Sequence, residues 1–229
     1  MKILYEDKDQ IVIHKPAGVA TQTARLGEKD LVSEIKNHIA KEEEITNPYV
    51  GVINRLDQPV EGIVLLAKNA KAAAELSKQM QSNSMQKYYL AAVFGHMEKE
   101  KDVLTDYLEK DGRTNTSKVV QSTSKDAKKA MLEYNVKATF GKVQFVEIHL
   151  LTGRHHQIRV QFSHREHPLI GDTKYGTVES TAFSREVNAR VVALCAYKLI
   201  WKHPVTGKAM NISLTPENAV LRGFYETVI

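Results

Sequence analysis

Apolar residues fall at two spacings along this chain. Leu31, Ile35, His38 and Ile39, and again Ala72, Ala73, Leu76 and Met80, recur every three or four positions, which predicts two amphipathic helices. Asp30 and Asn69 stand where each helix needs an N-cap. On the second helix Lys71, Lys78 and Gln79 are expected to face water. Shorter runs predict strands: Ile3 to Tyr5, Ile11 to His14, Ile63 to Ala67, Lys87 to Phe94 and Val191 to Trp201. Ala130 to Ala138 and Lys142 to Leu151 read as an antiparallel pair turning at Phe140-Gly141. Val146, Ile148 and Leu150 share one face of it; Phe145, Glu147 and His149 share the other. His203 to Gly207 is a hairpin turn answered by Ala209 to Leu214.

The remaining segments are more polar. Thr21 to Lys29 reads as a loop. Asp111 to Lys129 is rich in Thr, Ser, Asn and Lys and reads as a long excursion, whose Lys118, Lys125, Lys128 and Lys129 are candidates for phosphate contact. Arg154 to His164 reads as a helix with His155 and Arg159 on one face. Thr215, with Pro216 at the first helical position, is expected to open a last helix.

A chain of 229 residues can bury a sizeable core, and residues 1–229 are read as one domain. A net charge of +5 permits an anionic partner without demanding one. No apolar run reaches membrane-spanning length and no signal peptide opens the chain, so a cytoplasmic protein is expected. The single cysteine, Cys195, sits in an apolar run and reads as a buried core thiol. There is no phosphate-binding glycine loop and no dinucleotide fingerprint, so no cofactor is expected. His155, His156, His164 and His167 cluster in sequence, but their spacing matches no familiar zinc pattern, and no metal is expected. No serine occupies a nucleophile elbow.

The segment around which the rest is organised is Gly51 to Lys68, GVINRLDQPVEGIVLLAK. Arg55-Leu56-Asp57 precedes a turn broken by Pro59 and Gly62, and a buried strand follows. On the residues alone two readings of Asp57 stand: a turn-capping aspartate, or a reactive carboxylate carried on a rigid element. Tyr89 has two as well, a core tyrosine or a functional phenol.

In order along the chain, three segments resemble the RluA family of RNA pseudouridine synthases. Asn54-Arg55-Leu56-Asp57, with Gly62 and Ala67-Lys68, is similar to its catalytic motif. Lys87-Tyr88-Tyr89-Leu90-Ala91-Ala92-Val93 with Gly95 is similar to its Lys-x-Tyr strand. Gly153-Arg154-His155-His156-Gln157-Ile158-Arg159, with Gly171-Asp172 and Tyr175-Gly176, resembles its Gly-Arg-x-His-Gln-Ile-Arg segment and the loop beyond. The opening Lys15-Pro16-Ala17-Gly18 and the late His203-Pro204 also fit. Two positions depart: Asn54 stands where the family usually has His, and Val60-Glu61 where it has Thr-Ser.

The resemblance implies an α+β fold: a central, mostly antiparallel mixed sheet in two halves with flanking helices and an RNA cleft. It implies a catalytic region without an N-terminal S4 RNA-binding domain, acting on ribosomal RNA first and transfer RNA second. Asp57 is then the nucleophile, Tyr89 stacks on the target base, and Arg159 pairs with the aspartate. Arg55, Arg154, Lys87, His156 and Lys15 are the expected RNA contacts. A monomer needing no cofactor is expected. The rival reading is a non-catalytic RNA-binding or RNA-folding factor on the same scaffold.

Overall fold

The computed structural model describes residues 1–23 and 30–228. Most of the expected loop at Thr21 to Lys29 therefore lies outside the described residues. The chain divides into two compact units: residues 1–86 with 196–214, and residues 87–195 with 215–229. Among the described residues there are eleven strands and five helices.

The first unit opens with β1 (Lys2–Glu6) and β2 (Gln10–Lys15), an antiparallel pair around a charged turn. Helix α1 (Leu31–Glu42) is capped as expected: the Asp30 side chain accepts from Ser33 N, and Leu31, Ile35 and Ile39 are buried. His38 is half-buried and its Nε2 lies 2.9 Å from Glu6 Oε2. After β3 (Gly51–Val52) comes β4 (Glu61–Ala67), which pairs with β2 and is buried at every position, as a continuous apolar run in a central strand should be.

Gly62 belongs to β4 rather than ending the turn before it. Its φ is +132°, and a Cβ there would lie 2.5 Å from Ala196 N and O, so only glycine fits. Helix α2 (Ala70–Gln81) starts at Asn69, whose side chain accepts from Ala72 N. Gln79 faces inward, contrary to the sequence expectation. Its amide donates to Lys202 O and accepts from Lys202 N, so a polar side chain satisfies a strand backbone (2.9 Å each). Helical spacing reports which positions point inward, not whether a polar partner waits there.

The second unit is built on a five-strand antiparallel array in the order β5-β9-β8-β6-β7. These are β5 (Gln86–Phe94), β6 (Lys101–Asp111), β7 (Thr116–Val120), β8 (Lys128–Phe140) and β9 (Val143–Leu150). The β8–β9 hairpin is the one expected from the alternation. The polar stretch from Asp111 is no structureless excursion: Thr116 to Val120 pair with Tyr107 to Asp111. Its strands are polar because their outer positions meet water, and that masked the alternation.

Helix α3 (Gln157–Ser163) starts three residues later than expected, because His156 adopts a left-handed conformation, φ 54°. His155 therefore lies ahead of the helix and does not share a helical face with Arg159. Helix α4 (Val178–Glu186) follows behind a Thr177–Ser180 capping box. Strand β10 (Leu194–Lys202) carries the buried Cys195 and then enters the first unit, where β11 (Ala209–Ser213) pairs with it. Trp201 on β10 is buried and donates through Nε1 to Gln10 Oε1 at 3.0 Å.

The last helix, α5 (Ala219–Val228), belongs to the second unit. Asn218, not Thr215, accepts from its first amides, Val220 N and Leu221 N. No helix among the described residues is long and apolar enough to cross a membrane.

Candidate active site

In the first unit, Asp57 rides on the connection from β3 to β4. That connection is braced at several points. Asn54 acts as a surrogate strand partner: its amide donates to Ile63 O (3.0 Å) and accepts from Leu65 N (2.8 Å). Leu56 is buried, and its backbone exchanges hydrogen bonds with the Thr21 hydroxyl, at 3.0 and 3.3 Å. Val60 N closes a turn on Asp57 O. Gly18 N donates to Gln58 O, and Gln58 Nε2 donates back to Gly18 O. Asp57 is left half-buried and Arg55 exposed. A carboxylate on so restrained a loop keeps a defined direction, which reactive groups require.

Lys15 is fully buried, and its Nζ donates to Pro16 O, Val19 O and Gln58 O at 3.0, 2.7 and 3.2 Å. This corrects its expected role as an RNA contact. All three ammonium donors are spent on loop carbonyls, so Lys15 is a clamp under Gln58, the residue after Asp57. Burial pulls its pKa down to about 8, against the opposing pull of the Asp57 and Glu61 carboxylates.

Because that value lies below the unfolded one of 10.5, the folded chain holds fewer protons between pH 8 and 10.5. Stability contributed at this position should therefore rise with pH across that window, by about 3 kcal/mol. Urea unfolding of wild type and Lys15→Met at pH 7.5 and 10.5 checks this. The rise should be larger in wild type by that increment; equal rises in both proteins would refute it.

Glu61, the second departure from the family pattern, is buried with His14. Their Nε2–Oε2 separation is 3.7 Å, with side chains 2% and 3% exposed.

In the second unit, Lys87 and Tyr89 on β5 are both buried, and Tyr88 points to the other face, stacked on His149 with centroids 4.7 Å apart. Burial, reinforced by the Arg154 charge, lowers the Lys87 pKa. The chain then turns at Thr152-Gly153, and Gln157 locks that turn. Its Oε1 accepts from Thr152 Oγ1 and Arg154 N, while its Nε2 donates to Met131 O. Arg154 is exposed, with Nε on Lys129 O. His156 is buried, and its Nδ1 lies 2.7 Å from Tyr175 Oη.

Arg159 forms a two-point ion pair with Asp172, Nε–Oδ2 2.7 Å and Nη2–Oδ1 2.8 Å, with both side chains buried. Its guanidinium also lies over the Tyr175 ring, 5.1 Å from the centroid. Asp172 Oδ1 accepts from Lys174 N and Tyr175 N as well, so one carboxylate fixes both the arginine and the loop beyond it. Gly171 makes the approach possible: at φ 77°, a Cβ there would sit 2.1 Å from Val191 O.

The structure thus gathers Lys15, Arg55 and Asp57 in one unit and Lys87, Arg154, His156 and Arg159 in the other, where Tyr89 also belongs. Sequence reasoning gave Gln157, Asp172 and Tyr175 as motif members without roles, and missed Thr21 and Ser117. A threonine or serine that braces a distant segment leaves no local signature.

Three of the four histidines that cluster in sequence meet other partners: His155 meets Ser117, His156 meets Tyr175, and His167 meets Phe94 O. Among the described residues, the ligand atoms of Asp7, Asp9 and His203 lie within 4.8 Å of one another. Protein donors already fill them. Asp7 accepts from Tyr5 Oη, Asp9 N, Gln10 N and His203 Nε2, and Asp9 accepts from Asn69. His203 Nδ1 accepts from Val205 N and Thr206 N, which leaves the proton on Nε2. The cluster ties three turns together.

The architecture is that of known pseudouridine synthases. Human RNA pseudouridylate synthase domain containing 4 aligns with a TM-score of 0.78 over 96% of this chain and 91% of that one, at 20% identity. Human RNA pseudouridylate synthase domain containing 1 gives 0.74 over 94% and 83%, at 22%. In sequence, the RNA pseudouridylate synthase family model matches residues 9–164, and the chain belongs to that family.

Relatives include ribosomal large subunit pseudouridine synthase D of Vibrio cholerae, 33% identical over 92% of this chain and 66% of that protein. Another is tRNA pseudouridine synthase C of Pectobacterium carotovorum, 28% identical over 93% and 58%. The chain spans about 58–66% of the length of curated relatives it matches.

Proposed function

We propose that this chain isomerises uridine to pseudouridine within structured RNA, ribosomal RNA before transfer RNA, in the cytoplasm and as a monomer. What carries the reading is the match to the synthase family over residues 9–164, which contains Asp57 on its braced loop. The substrate preference is supported by the names of relatives, among which ribosomal large subunit synthases recur.

Isomerisation breaks the bond from N1 to C1′, turns the base and joins C5 to C1′. Nothing is oxidised or hydrolysed, so the chemistry asks for no redox cofactor. In this reading Asp57 is the nucleophile, at C1′ of the sugar or C6 of the base. Arg159, held in direction by Asp172, is the arginine that supplies positive charge to the reaction. Tyr89 stacks on the extruded base and stands near the C5 proton that must finally leave.

Extrusion costs a few kcal/mol of stacking. Arg55 and Arg154, both exposed, contact the RNA; Lys87 and His156, both buried, act from beneath the surface. The rival, non-catalytic reading rested on Asn54 and Glu61. Asn54 braces β4 with both ends of its amide, so that departure leaves the aspartate's support intact.

Tritium release from RNA labelled with 5-³H-uridine tests the activity. Ribosomal RNA from cells lacking the gene should release tritium in proportion to enzyme turnover. RNA binding without any release would leave only the non-catalytic reading. Arg55→Ala and Arg154→Ala should each flatten the slope of log affinity against log salt by about 0.7–0.9. Unchanged slopes in filter binding would remove these arginines from the interface.

A further inference from the structure

Within the second unit, four side chains close a ring of contacts between the edge strand β7 and the start of α3. Ser117 Oγ meets His155 Nδ1 at 2.9 Å. The His155 and His156 imidazoles stack, with centroids 3.7 Å apart and planes at 25°. His156 Nδ1 meets Tyr175 Oη at 2.7 Å, and the same Oη accepts from Ser117 N at 2.8 Å. The Tyr175 ring then lies under the Arg159 guanidinium, edge-on to His156. The ring thus runs from Ser117 through two histidines and a tyrosine back to Ser117, and one member supports Arg159.

Two features single this out from ordinary packing. His156 holds a positive φ of 54°, unusual for a side chain with a Cβ, and such a conformation persists only where its surroundings fix it. And β7 is the last strand of its array, paired with β6 and, through Ser117, anchored to the turn that carries His155.

We propose that Ser117 and His155 are positioning residues for the reaction: through the His155–His156 stack and Tyr175 they hold Arg159 in its working direction. The inference rests on the isomerase reading and extends it to residues outside the expected site. The ring fixes the edge of the Tyr175 plane, and Asp172 fixes the fork of the guanidinium. Loss of the first should leave Arg159 bound to Asp172 but tilted, which affects the chemical step and not RNA capture.

The test is single-turnover and steady-state tritium release with wild type, His155→Ala, Ser117→Ala, the double variant and the conservative His155→Asn, whose planar amide can still meet the Ser117 hydroxyl and lie flat against the His156 ring. Thermal melts are run on each. Both alanine variants should lower kcat about five- to tenfold with KM for RNA within twofold. The double variant should fall no further than the worse single one, because the two residues act through one contact. His155→Asn should recover to within twofold of wild type. Wild-type kcat in the alanine variants, or a loss confined to KM, would overturn the inference. So would additive losses, or losses that track melting temperature and do not recover in His155→Asn. Absence of release by wild type itself would instead remove the isomerase reading on which it stands.

Discussion

Asp57→Asn is expected to lower turnover by at least about 10⁴-fold while leaving RNA affinity within about twofold. Asparagine keeps the size and one acceptor of the side chain, and the loop has supports besides that side chain. Thr21 holds Leu56, Asn54 holds β4, and Val60 N closes on the backbone carbonyl of residue 57. What is removed is the negative charge and nucleophilicity of a carboxylate. Tritium release measured beside filter binding and circular dichroism separates the outcomes. Turnover within tenfold of wild type would dismiss Asp57 as nucleophile, and a collapsed spectrum would make it a structural residue.

The second large effect is expected at Asp172. Its carboxylate is fully buried, bound at two points to a buried arginine and to two backbone amides. Asp172→Ala takes the two-point partner from a buried arginine charge and should cost about 3–5 kcal/mol of stability. Activity should fall with it even at temperatures where the variant stays folded, because the guanidinium loses its direction. Urea unfolding monitored by fluorescence gives the first number, and tritium release at low temperature gives the second. A loss below about 1 kcal/mol would mean that water or another group reaches Arg159 and that the pair is not the anchor it looks to be.

Much of this molecule was legible beforehand, for physical reasons that differ by element. Helices α1 and α2 were found because apolar periodicity and a capping side chain, Asp30 or Asn69, give the same boundary independently. Strand β4 was found from Ile63 onward because that part of a central strand is a continuous apolar run, whereas its buried Glu61 gave no such signal. The hairpin of β6 and β7 was not, since its outward positions are polar and its inward ones few. The start of α3 was misplaced by a single left-handed residue, His156, which composition does not reveal.

In the site, Asp57 and Arg159 were visible as motif residues, whereas Asp172 acquired a role only once its oxygens were seen on Arg159. Lys15 shows the opposite failure. A lysine at the end of a strand reads as a surface charge, but its three protons had a closer use on carbonyls.

The lone thiol has a practical side. Cys195 is fully enclosed in β10, so maleimide reagents should pass over it in the native protein. A cysteine introduced at an exposed site such as Ser122 can then take a fluorophore alone, with Cys195 left in place. Dye quenching there would report whether RNA reaches Lys118, Lys125, Lys128 and Lys129.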